Sequence, residues 1–426
     1  MNDDYIKRNK RIITISVISL LSILILFYII TNFVLRGRVK IVAPKNSSIY
    51  QLDIKTTGYS KKLLGKSSVS FTSNTGEFTY QVEDGQKSAI QTVNIKSGKS
   101  YEFEINPFEI KKPNNASKVT ATSLNVLADN INYLNPTYNF LERVSIGKNI
   151  PSNYPVSPFP GNVSEIFWTN SNQAILKYDN KVGFLNSGKI IEISFNQVIQ
   201  EDGTDAYEFE SQNLNNFVAN SKNQILASVG PGIVLKQTPD SAGNLLVKDV
   251  QGQFVNLALS DNDYYAYSTT EDISDEGESA RQTENETDRS IFLKKISDSK
   301  FIRKIESTSS ITAIVFSPDS EKIAYVNAEG MHLYDISASN NTLLYTKQIA
   351  KPNLTTWIDK DKLIYTDQEG VWEMNIENLR ADKIIDNANI TYLQSFFVDK
   401  DEKTLYYSII LPNPAGDNGL IEYIGI

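Results

Sequence analysis

The stretch IVFSPDSEKIAYVNAEGMHLYDI, residues Ile314–Ile336, is followed forty residues later by a diverged copy, LTTWIDKDKLIYTDQEGVWEMNI, residues Leu354–Ile376. Across this offset Tyr325 aligns with Tyr365, and a Glu-Gly pair occupies the same place in each copy. A repeat of about 40 residues that holds several short strands is typical of a β-propeller, in which each repeat forms a four-stranded blade around a channel. The pair of copies therefore predicts an all-β fold.

Further copies of the repeat lie upstream and downstream of this pair. Each begins with an apolar triplet, passes through a polar turn into a second apolar run, and closes a tight hairpin before a third run. Six triplets fit this order, and their third residues are 50, 39, 59, 41 and 40 positions apart. We predict six blades over residues 161–426, or seven if the chain before residue 160 holds a degenerate copy. The triplets are Ile166-Phe167-Trp168, Asn216-Phe217-Val218, Val255-Asn256-Leu257, Ile314-Val315-Phe316, Thr355-Thr356-Trp357 and Ser395-Phe396-Phe397.

The last copy ends after its third strand, Leu420–Ile424. A blade left open there would expose a long unpaired edge, which natural sheets avoid. We therefore expect a strand from upstream to close the ring, and Tyr138–Ile146 (YNFLERVSI) is the best candidate. Residues 111–160 are interpreted as a linker that includes this ring-closing strand.

The turn Ser317-Pro318-Asp319-Ser320 lies between two apolar runs and is followed by a hairpin. This arrangement resembles the WD40-like propeller repeat of the TolB type. The resemblance covers roughly residues 160–426, and the other five copies have lost the proline. It implies a fold and no activity, because propellers host unrelated functions.

A transmembrane segment is predicted at Ile12–Leu35, a run of 24 residues without charge. At 1.5 Å per residue this run is long enough to cross a hydrocarbon core of roughly 30 Å. Four basic residues precede it and four follow within ten positions, so the positive-inside comparison is nearly even. The short, tightly charged tail, residues 1–11, favours a cytoplasmic N-terminus. Because no small-residue cleavage site follows, we expect an uncleaved signal anchor at residues 12–35.

Residues 37–110 contain six segments in which apolar and polar residues alternate with period two, which predicts a small β-sandwich. The second half, Gly76–Ile105, resembles the PEGA module, a small β domain common in surface proteins. Ala43-Pro44-Lys45-Asn46 stands where that family carries its Pro-Glu-Gly-Ala signature. The resemblance implies a stalk or spacer. The segments are Val39–Val42, Gln51–Ile54, Val69–Thr72, Glu77–Val82, Thr92–Ile95 and Tyr101–Ile105.

The composition excludes several classes of partner. The chain has 426 residues and a formal net charge of −8. Its first 36 residues hold five basic and two acidic side chains, which leaves 37 basic and 48 acidic ones, or −11, for the remainder. An acidic exterior repels nucleic acid. The chain has no cysteine, which excludes disulfides and thiolate metal sites and fits an extracytoplasmic bacterial protein.

The single histidine limits the chemistry that this chain can perform. A Ser-His-Asp hydrolase needs an imidazole to take the serine proton, and His332 is the only one present. In the repeat alignment His332 falls opposite Trp372, Val234 and Gly183. A position that accepts such different residues is a packing position, so we predict no catalytic role for His332. The same count excludes histidine-based zinc sites.

Aspartates are frequent in the polar turns of the repeats. Such turns favour Asp because its side chain caps local main-chain amides, so we assign these residues to turns. Two Asp-Lys-Asp turns, at 359–361 and 399–401, resemble calcium ligands but lack the glycine and distal glutamate of a calcium loop. We therefore predict no metal, no cofactor and no catalytic residue. The turn aspartates are Asp261, Asp319, Asp359, Asp361, Asp399 and Asp401.

Two repeats carry insertions, Thr269–Asp288 and Leu411–Asn418, and both fall between the second and third strands of a blade. In a six-bladed ring they would belong to the third and sixth blades, opposite one another on the same face. We expect this face to bind a partner, an envelope protein or a glycan, because function concentrates on such loops. Whether Thr269–Asp288 is a functional flap or a disordered insertion stays open.

These observations predict a single-pass membrane protein with a short cytoplasmic tail, a β-sandwich stalk and an extracytoplasmic propeller. Its expected function is binding or scaffolding at the cell envelope, without catalysis. One alternative is a carbohydrate-active propeller enzyme that uses Asp and Glu as acid and base. Another is a cytoplasm-facing assembly platform.

Overall fold

The computed structural model describes residue 17, residues 19–23 and residues 36–426, except for residues 56–57, 109–112, 157–161, 171, 180, 196–197, 200–213, 231, 248–253, 270–289, 299, 346–347 and 412–417. Nearly all regular structure in these residues is β-strand, as predicted. Two short 3₁₀ helices, Pro352–Leu354 and Asn387–Tyr392, connect strands. The chain divides into two units: Met1–Glu109 with Asn378–Lys383, and Ile110–Glu377 with Ile384–Ile426.

Most of the predicted transmembrane segment, Ile12–Leu35, lies outside the described residues. Residue 17 and residues 19–23 are helical. Within the described part of the chain, no helix is both long enough and apolar enough to cross a membrane. The membrane anchor therefore stays a prediction.

The first unit contains two sheets that share one apolar core. Alternate residues of the strands face this core, with Val39 and Ile41 from one sheet packed with Ile49, Tyr80 and Val82 from the other. One sheet has Gly37–Val42 between Ser68–Ser73, its antiparallel partner, and Ser100–Glu104, its parallel partner. The other sheet orders Gly58–Lys66, Ser48–Lys55, Gly76–Asp84 and Lys87–Ile95, and residues 380–382 pair with residues 89–91.

The first unit has one strand that the sequence pattern did not predict. Gly58–Lys66 contains consecutive lysines, Lys61 and Lys62, and Leu63 is more than half exposed. The strand pairs only with Ser48–Lys55 among the described strands. Residues 60–63 of this strand are all exposed, so none of these positions needs an apolar side chain, and the alternation that marks the other six strands is absent.

The described residues of the second unit form seven sheets, numbered here in chain order. Sheet 1 comprises Thr122–Leu127, Asn130–Asn135, Phe140–Ser145 and Ser152–Asn153. Sheet 2 comprises Val163–Asn170, Gln173–Tyr178, Lys181–Asn186 and Lys189–Ile193. Sheet 3 comprises Leu214–Ala219, Ile225–Val229, Gly232–Lys236 and Gly243–Val247, with Val198–Ile199 parallel to the last of these. Sheet 4 comprises Phe254–Leu259, Tyr264–Thr269, Ser290–Lys295 and Ile302–Glu306.

The remaining three sheets complete the second unit. Sheet 5 comprises Ala313–Phe316, Lys322–Asn327, Gly330–Asp335 and Asn340–Tyr345. Sheet 6 has Thr356–Trp357, Lys362–Asp367 and Gly370–Asn375, and the chain then enters Arg380–Asp386, whose first residues belong to the first unit. Sheet 7 comprises Leu393–Asp399, Thr404–Leu411, Asn418–Gly425 and the upstream strand Asn114–Ser117.

The described residues form seven sheets in this unit, so the predicted count of six blades is wrong, and the alternative of seven, with a further copy before residue 160, agrees with the structure. All six predicted triplets lie in or beside the first strands of sheets 2 to 7. The copy that the count of six leaves out is therefore sheet 1, which lies before residue 160. In that copy, sheet 1, only Ala128 and Asp129 separate the first two strands. The polar tetrad that marks the other repeats is absent there, so the copy was not recognisable by its turn.

The ring-closing strand was also predicted at the wrong place. Asn114–Ser117 pairs with the C-terminal strand, with Ser117 opposite Ile421 and Asn114 opposite Tyr423. The predicted strand Tyr138–Ile146 instead provides the third strand of sheet 1. Asn114–Ser117 (NNAS) lacks apolar alternation, so its sequence gives no strand signal. At Gly419 a Cβ would lie 2.1 Å from the Thr120 Cα, and only glycine fits this close approach of two backbones.

The seven sheets pack one against the next around a ring. Apolar side chains of successive sheets form shared cores from sheet 1 to sheet 5 and from sheet 6 to sheet 7. Tyr345 of sheet 5 lies 4.5 Å from Tyr365 of sheet 6, measured between ring centroids. The ring is completed by a core in which Tyr133 of sheet 1 packs with Tyr406 and Ile421 of sheet 7. This arrangement confirms the predicted β-propeller.

Candidate functional site

The first strands of the sheets are innermost, and those of neighbouring sheets lie side by side. The connections between first and second strands, such as residues 317–321 and 358–361, share one end of the ring, which we call the turn face. The connections between second and third strands, such as residues 328–329 and 368–369, share the other end, which we call the hairpin face.

Two adjoining cavities occupy the space between the first strands, and together we call them the central cavity. The larger, of about 840 Å³, is lined mainly by the first strands of sheets 1, 2, 6 and 7. The smaller, of about 350 Å³, is lined by those of sheets 2 to 6. Phe167, Ala219, Thr356, Trp357 and Lys400 line both. Both volumes lie in the range of ligand pockets, about 300–1,000 Å³.

Aromatic residues occupy much of the wall of the central cavity, and two of them are held by hydrogen bonds. The Trp168 Nε1 donates to the main-chain oxygen of Ser123 in the preceding sheet at 2.8 Å. The Trp357 Nε1 donates in the same way to the oxygen of Val315, at 3.4 Å. These bonds fix both indoles between neighbouring sheets. The aromatic lining residues are Phe167, Trp168, Phe316, Trp357, Phe396 and Phe397.

The polar groups of the central cavity are mostly uncharged hydroxyl and amide side chains. Its charged lining residues are Glu165, Asp261 and Lys400. Glu165 lies 4.0 Å from the Lys177 Nζ, and the Asp261 Oδ1 accepts a hydrogen bond from a main-chain amide at 3.0 Å. Lys400 is exposed at the turn face. Among the described lining residues, a ligand in the cavity would therefore meet one cationic group, two carboxyl groups and many neutral donors and acceptors.

Aspartates of the turn face cap main-chain amides, as predicted. The Asp359 Oδ1 accepts from the amides of residues 361 and 362, both at 2.8 Å, and the Asp399 Oδ1 accepts from those of residues 401 and 402. Burial raises the pKa of Asp319, but hydrogen bonds from the Ser317 hydroxyl and the Glu321 amide outweigh it and hold this pKa below its usual value. In the described parts of the chain, no group of three or more His, Asp or Glu side chains could hold a metal ion.

Hydrogen bonds between neighbouring sheets also connect the turn face. They use amide side chains at the ends of the first strands, and they link sheet 2 to sheet 3, sheet 3 to sheet 4 and sheet 4 to sheet 5. From sheet 2 to sheet 5 this face is therefore joined by hydrogen bonds rather than built from independent loops. The bonds are Asn223 Nδ2 to Gln173 Oε1 at 2.9 Å, Asn220 Nδ2 to Ser260 O at 2.8 Å, and Asn262 Nδ2 to Asp319 O at 3.2 Å.

His332 lies in sheet 5 near the hairpin face and packs as the repeat alignment indicated. Its ring stacks on Tyr325 with centroids 4.7 Å apart, and only 8% of the residue is exposed. The Nε2 lies 3.2 Å from the Asn327 Oδ1 and 3.8 Å from the Glu329 carboxyl group. Burial lowers the pKa of His332, and Glu329 opposes this shift. Because an amide oxygen can only accept, the Nε2 is the donor in this contact, and the ring serves as a packing group between Tyr325 and the turn.

A buried carboxyl group, that of Asp367, lies in sheet 6 at the position equivalent to Asn327. Asp367 is 1% exposed, and its Oδ1 accepts from the Trp372 indole at 2.8 Å and from the amides of Glu369 and Gly370 at 2.7 and 3.0 Å. Its Oδ2 accepts from the hydroxyl of Tyr345 in sheet 5. Burial, followed by Tyr365 and Asp367, raises the pKa of Tyr345 well above its usual value, so the phenol remains a donor. These contacts give Asp367 a role in joining two sheets.

The two predicted insertions lie almost wholly outside the described residues. Their flanking strands, Tyr264–Thr269 with Ser290–Lys295 and Thr404–Leu411 with Asn418–Gly425, are the second and third strands of sheets 4 and 7. The predicted placement between second and third strands is thus confirmed. In a ring of seven, sheets 4 and 7 are three steps apart, which is the largest separation possible, so their strands lie nearly opposite one another rather than directly opposite as expected from six blades.

Comparison with known proteins adds similarity of fold only. No protein-family model matches the chain, and no curated protein is significantly similar to it. A structure of the mitotic checkpoint complex matches with a TM-score of 0.46 and 10% identity, covering 74% of this chain and 92% of that one. A structure of YCF48 bound to a D1 peptide matches with a TM-score of 0.46 and 9% identity, covering 75% of this chain and 96% of that one. Hsv2 of Kluyveromyces lactis matches with a TM-score of 0.37 and 12% identity, covering 82% of this chain and 95% of that one.

Proposed function

We propose that this chain is a membrane-anchored binding or scaffold protein whose propeller lies outside the cytoplasm, at a bacterial cell envelope. The observation that carries the binding role is the closed ring, with a central cavity and a hydrogen-bonded turn face. Sites built on rigid elements hold their geometry better than sites on loops. No reaction is assigned, because the only imidazole is buried against an amide and the turn aspartates that cap main-chain amides have a structural use.

The location rests on the sequence. Ile12–Leu35 is an uncharged segment of spanning length behind a tight basic cluster, and the remainder of the chain is acidic and free of cysteine. The first unit, with its PEGA-like second half, would then act as a stalk between the membrane and the propeller. The partner of this scaffold is taken to be an envelope protein or glycan. The structures that resemble this fold include one with a bound peptide.

The absence of cysteine provides a direct test of the orientation. A single cysteine at Ile150, which is 87% exposed, would be the only target for a membrane-impermeant maleimide. The proposal predicts that Ile150→Cys is labelled in intact cells, whereas Asn9→Cys in the tail is labelled only after permeabilisation. A matched variant, Ile175→Cys, is buried and should resist labelling in the folded protein in both conditions.

The opposite pattern would contradict the proposed location. Labelling of Asn9→Cys in intact cells, with Ile150→Cys protected until lysis, would place the tail outside and the propeller in the cytoplasm. That outcome would support the cytoplasm-facing assembly platform, whereas protection of both until lysis would place the whole chain inside. In each case the binding role of the central cavity would be unaffected, because it depends on the ring alone.

A further inference from the structure

We infer that the central cavity binds an uncharged oligosaccharide. This inference deepens the proposed binding function by naming a ligand class, and it does not depend on where the propeller is located. It rests on three properties of the cavity wall: aromatic rings, neutral hydrogen-bonding side chains, and inner-strand carbonyl groups that already have side-chain partners.

The first property is the set of partly exposed aromatic rings. Phe167, Trp168, Phe396 and Phe397 each keep part of their surface open along the cavity. The face of an aromatic ring carries negative charge density, and the C–H groups on one side of a sugar ring carry partial positive charge. A sugar can therefore pack its apolar side on these rings while its hydroxyl groups point away from them.

The second property is the chemistry of the polar side chains. Thr122, Ser164, Asn170, Thr356 and Gln394 line the cavity, and hydroxyl and amide groups both donate and accept hydrogen bonds. Sugar hydroxyls also do both, so the two sets match. An anionic ligand would find only the cation of Lys400, at the turn face. Phosphate-rich or multiply charged ligands are therefore poor matches for this wall.

The third property separates an oligosaccharide from an extended peptide. A peptide that adds to a sheet needs free main-chain groups along the edge of a strand. Several carbonyl groups at or beside the inner strands already accept bonds from side chains of another sheet. Peptide addition along these edges would break those bonds, whereas an oligosaccharide can use the polar side chains. The occupied oxygens are Ser123 O, Ser260 O, Ile311 O and Val315 O.

The three tryptophans of the chain make the test selective. Trp168 and Trp357 line the cavity, whereas Trp372 is fully buried in sheet 6 and bonded to Asp367. Binding of a sugar in the cavity should change tryptophan emission through the first two. We would titrate the full-length chain in lipid nanodiscs with cellotetraose and with N-acetylchitotetraose, and a Ser/Thr-rich nonapeptide would serve as the competing probe.

The expected result is a saturable change in emission with at least one of the two sugars. Thr356→Val keeps the shape of the side chain and removes one hydroxyl, so it should weaken binding roughly fivefold. The matched control Thr342→Val lies on the fourth strand of sheet 5, away from the cavity, and should leave affinity unchanged. Phe396→Ala should also weaken binding roughly fivefold, against Phe301→Ala as its control.

Several results would overturn the inference. Failure of both sugars to saturate the signal up to about 10 mM would show an affinity too weak for a built site. Equal affinity in the wild type, Thr356→Val and Phe396→Ala, each folded by circular dichroism, would place any sugar binding elsewhere. Binding of the nonapeptide without binding of either sugar would identify a peptide site instead. Loss of folding in Phe396→Ala leaves the Thr356→Val comparison to decide.

Discussion

Sheets 5 and 6 carry the same hairpin with a different acceptor. Their second strands, Lys322–Asn327 and Lys362–Asp367, and their third strands begin and end at positions forty residues apart. Asn327 and Asp367 each accept from the amides two and three residues later and lie within hydrogen-bond distance of a ring nitrogen five residues later. The repeat therefore fixes one local geometry in both sheets.

The difference lies in the second oxygen or nitrogen of the acceptor side chain. The Asn327 Nδ2 donates to the Ser307 hydroxyl, in the connection that leads into sheet 5, at 2.7 Å. The Asp367 Oδ2 instead accepts from Tyr345, on the last strand of sheet 5. One change from amide to carboxyl thus redirects a bond from a loop to the neighbouring sheet. A diverged repeat can keep its turn and still acquire a new contact between blades.

Removing the two acceptors should give the largest effects and unequal ones. Asp367→Ala leaves three buried donors and one partly buried donor without an acceptor, and we expect it to lower the free energy of unfolding by about 3–5 kcal/mol. Asn327→Ala leaves two amides and one ring nitrogen without this acceptor, and we expect it to lower the free energy of unfolding by about 1–3 kcal/mol. Urea denaturation of the full chain, followed by circular dichroism, measures both.

An exposed aspartate provides the control for this pair. Asp401 lies in a turn of sheet 7, and Asp401→Ala should change the free energy of unfolding by less than about 0.5 kcal/mol. Equal losses for Asp367→Ala and Asn327→Ala would show that the bond to Tyr345 adds nothing. The comparison between the two sheets would then reduce to their shared turn.

The bond between sheets can be removed without disturbing the hairpin. Tyr345→Phe deletes only the hydroxyl that donates to Asp367, and a hydrogen bond to a charged group contributes about 1.5–3 kcal/mol. Tyr325→Phe deletes a hydroxyl that accepts from the Asn341 Nδ2 at 2.6 Å, a neutral bond expected to contribute about 0.5–1.5 kcal/mol. A larger loss for Tyr325→Phe in thermal or urea unfolding would reverse the proposed ranking.

The sequence predicted those parts of the fold whose strands follow a repeating pattern of apolar residues. The first strands of sheets 2 to 7 each contain or adjoin an apolar triplet, and the forty-residue offset between sheets 5 and 6 is repeated in their strand bounds. Sheet 1 and the closing strand Asn114–Ser117 show no such pattern. Their places depend on contacts with distant parts of the chain, Tyr406 and Ile421 among them.

The candidate site was predicted only in part. Four residues of the cavity wall, Trp168, Phe316, Trp357 and Phe397, were already visible as aromatic third members of the triplets. That they surround one space follows only from closure of the ring. The bond between Asp367 and Tyr345 had a weaker signal, because Asp367 replaces Asn327 in an otherwise similar hairpin. No local pattern identifies Tyr345 as its partner across the sheets.

The smallest expected effect is a pH dependence of the free energy of unfolding. His332 of sheet 5 contributes to it, whereas its counterpart in sheet 6, Trp372, cannot titrate. Burial lowers the pKa of His332 in the folded state below the unfolded value of about 6.5. Just below that pH the unfolded chain binds a proton that the folded chain does not, so stability falls as the pH falls. His332 is the only histidine in the chain. The way in which the difference in urea midpoint between the wild type and His332→Gln changes with pH therefore isolates this contribution.

Giving sheet 5 the acceptor of sheet 6 should weaken that dependence. Asn327→Asp would place a carboxylate oxygen near the His332 Nε2, where an amide oxygen now lies at 3.2 Å. An adjacent negative charge favours the imidazolium and raises its pKa relative to the wild type. The single histidine resonance in an NMR titration reports this pKa directly. A wild-type pKa at or above 6.5, or no upward shift in Asn327→Asp, would contradict burial as the dominant influence on His332 and leave the two hairpins electrostatically alike.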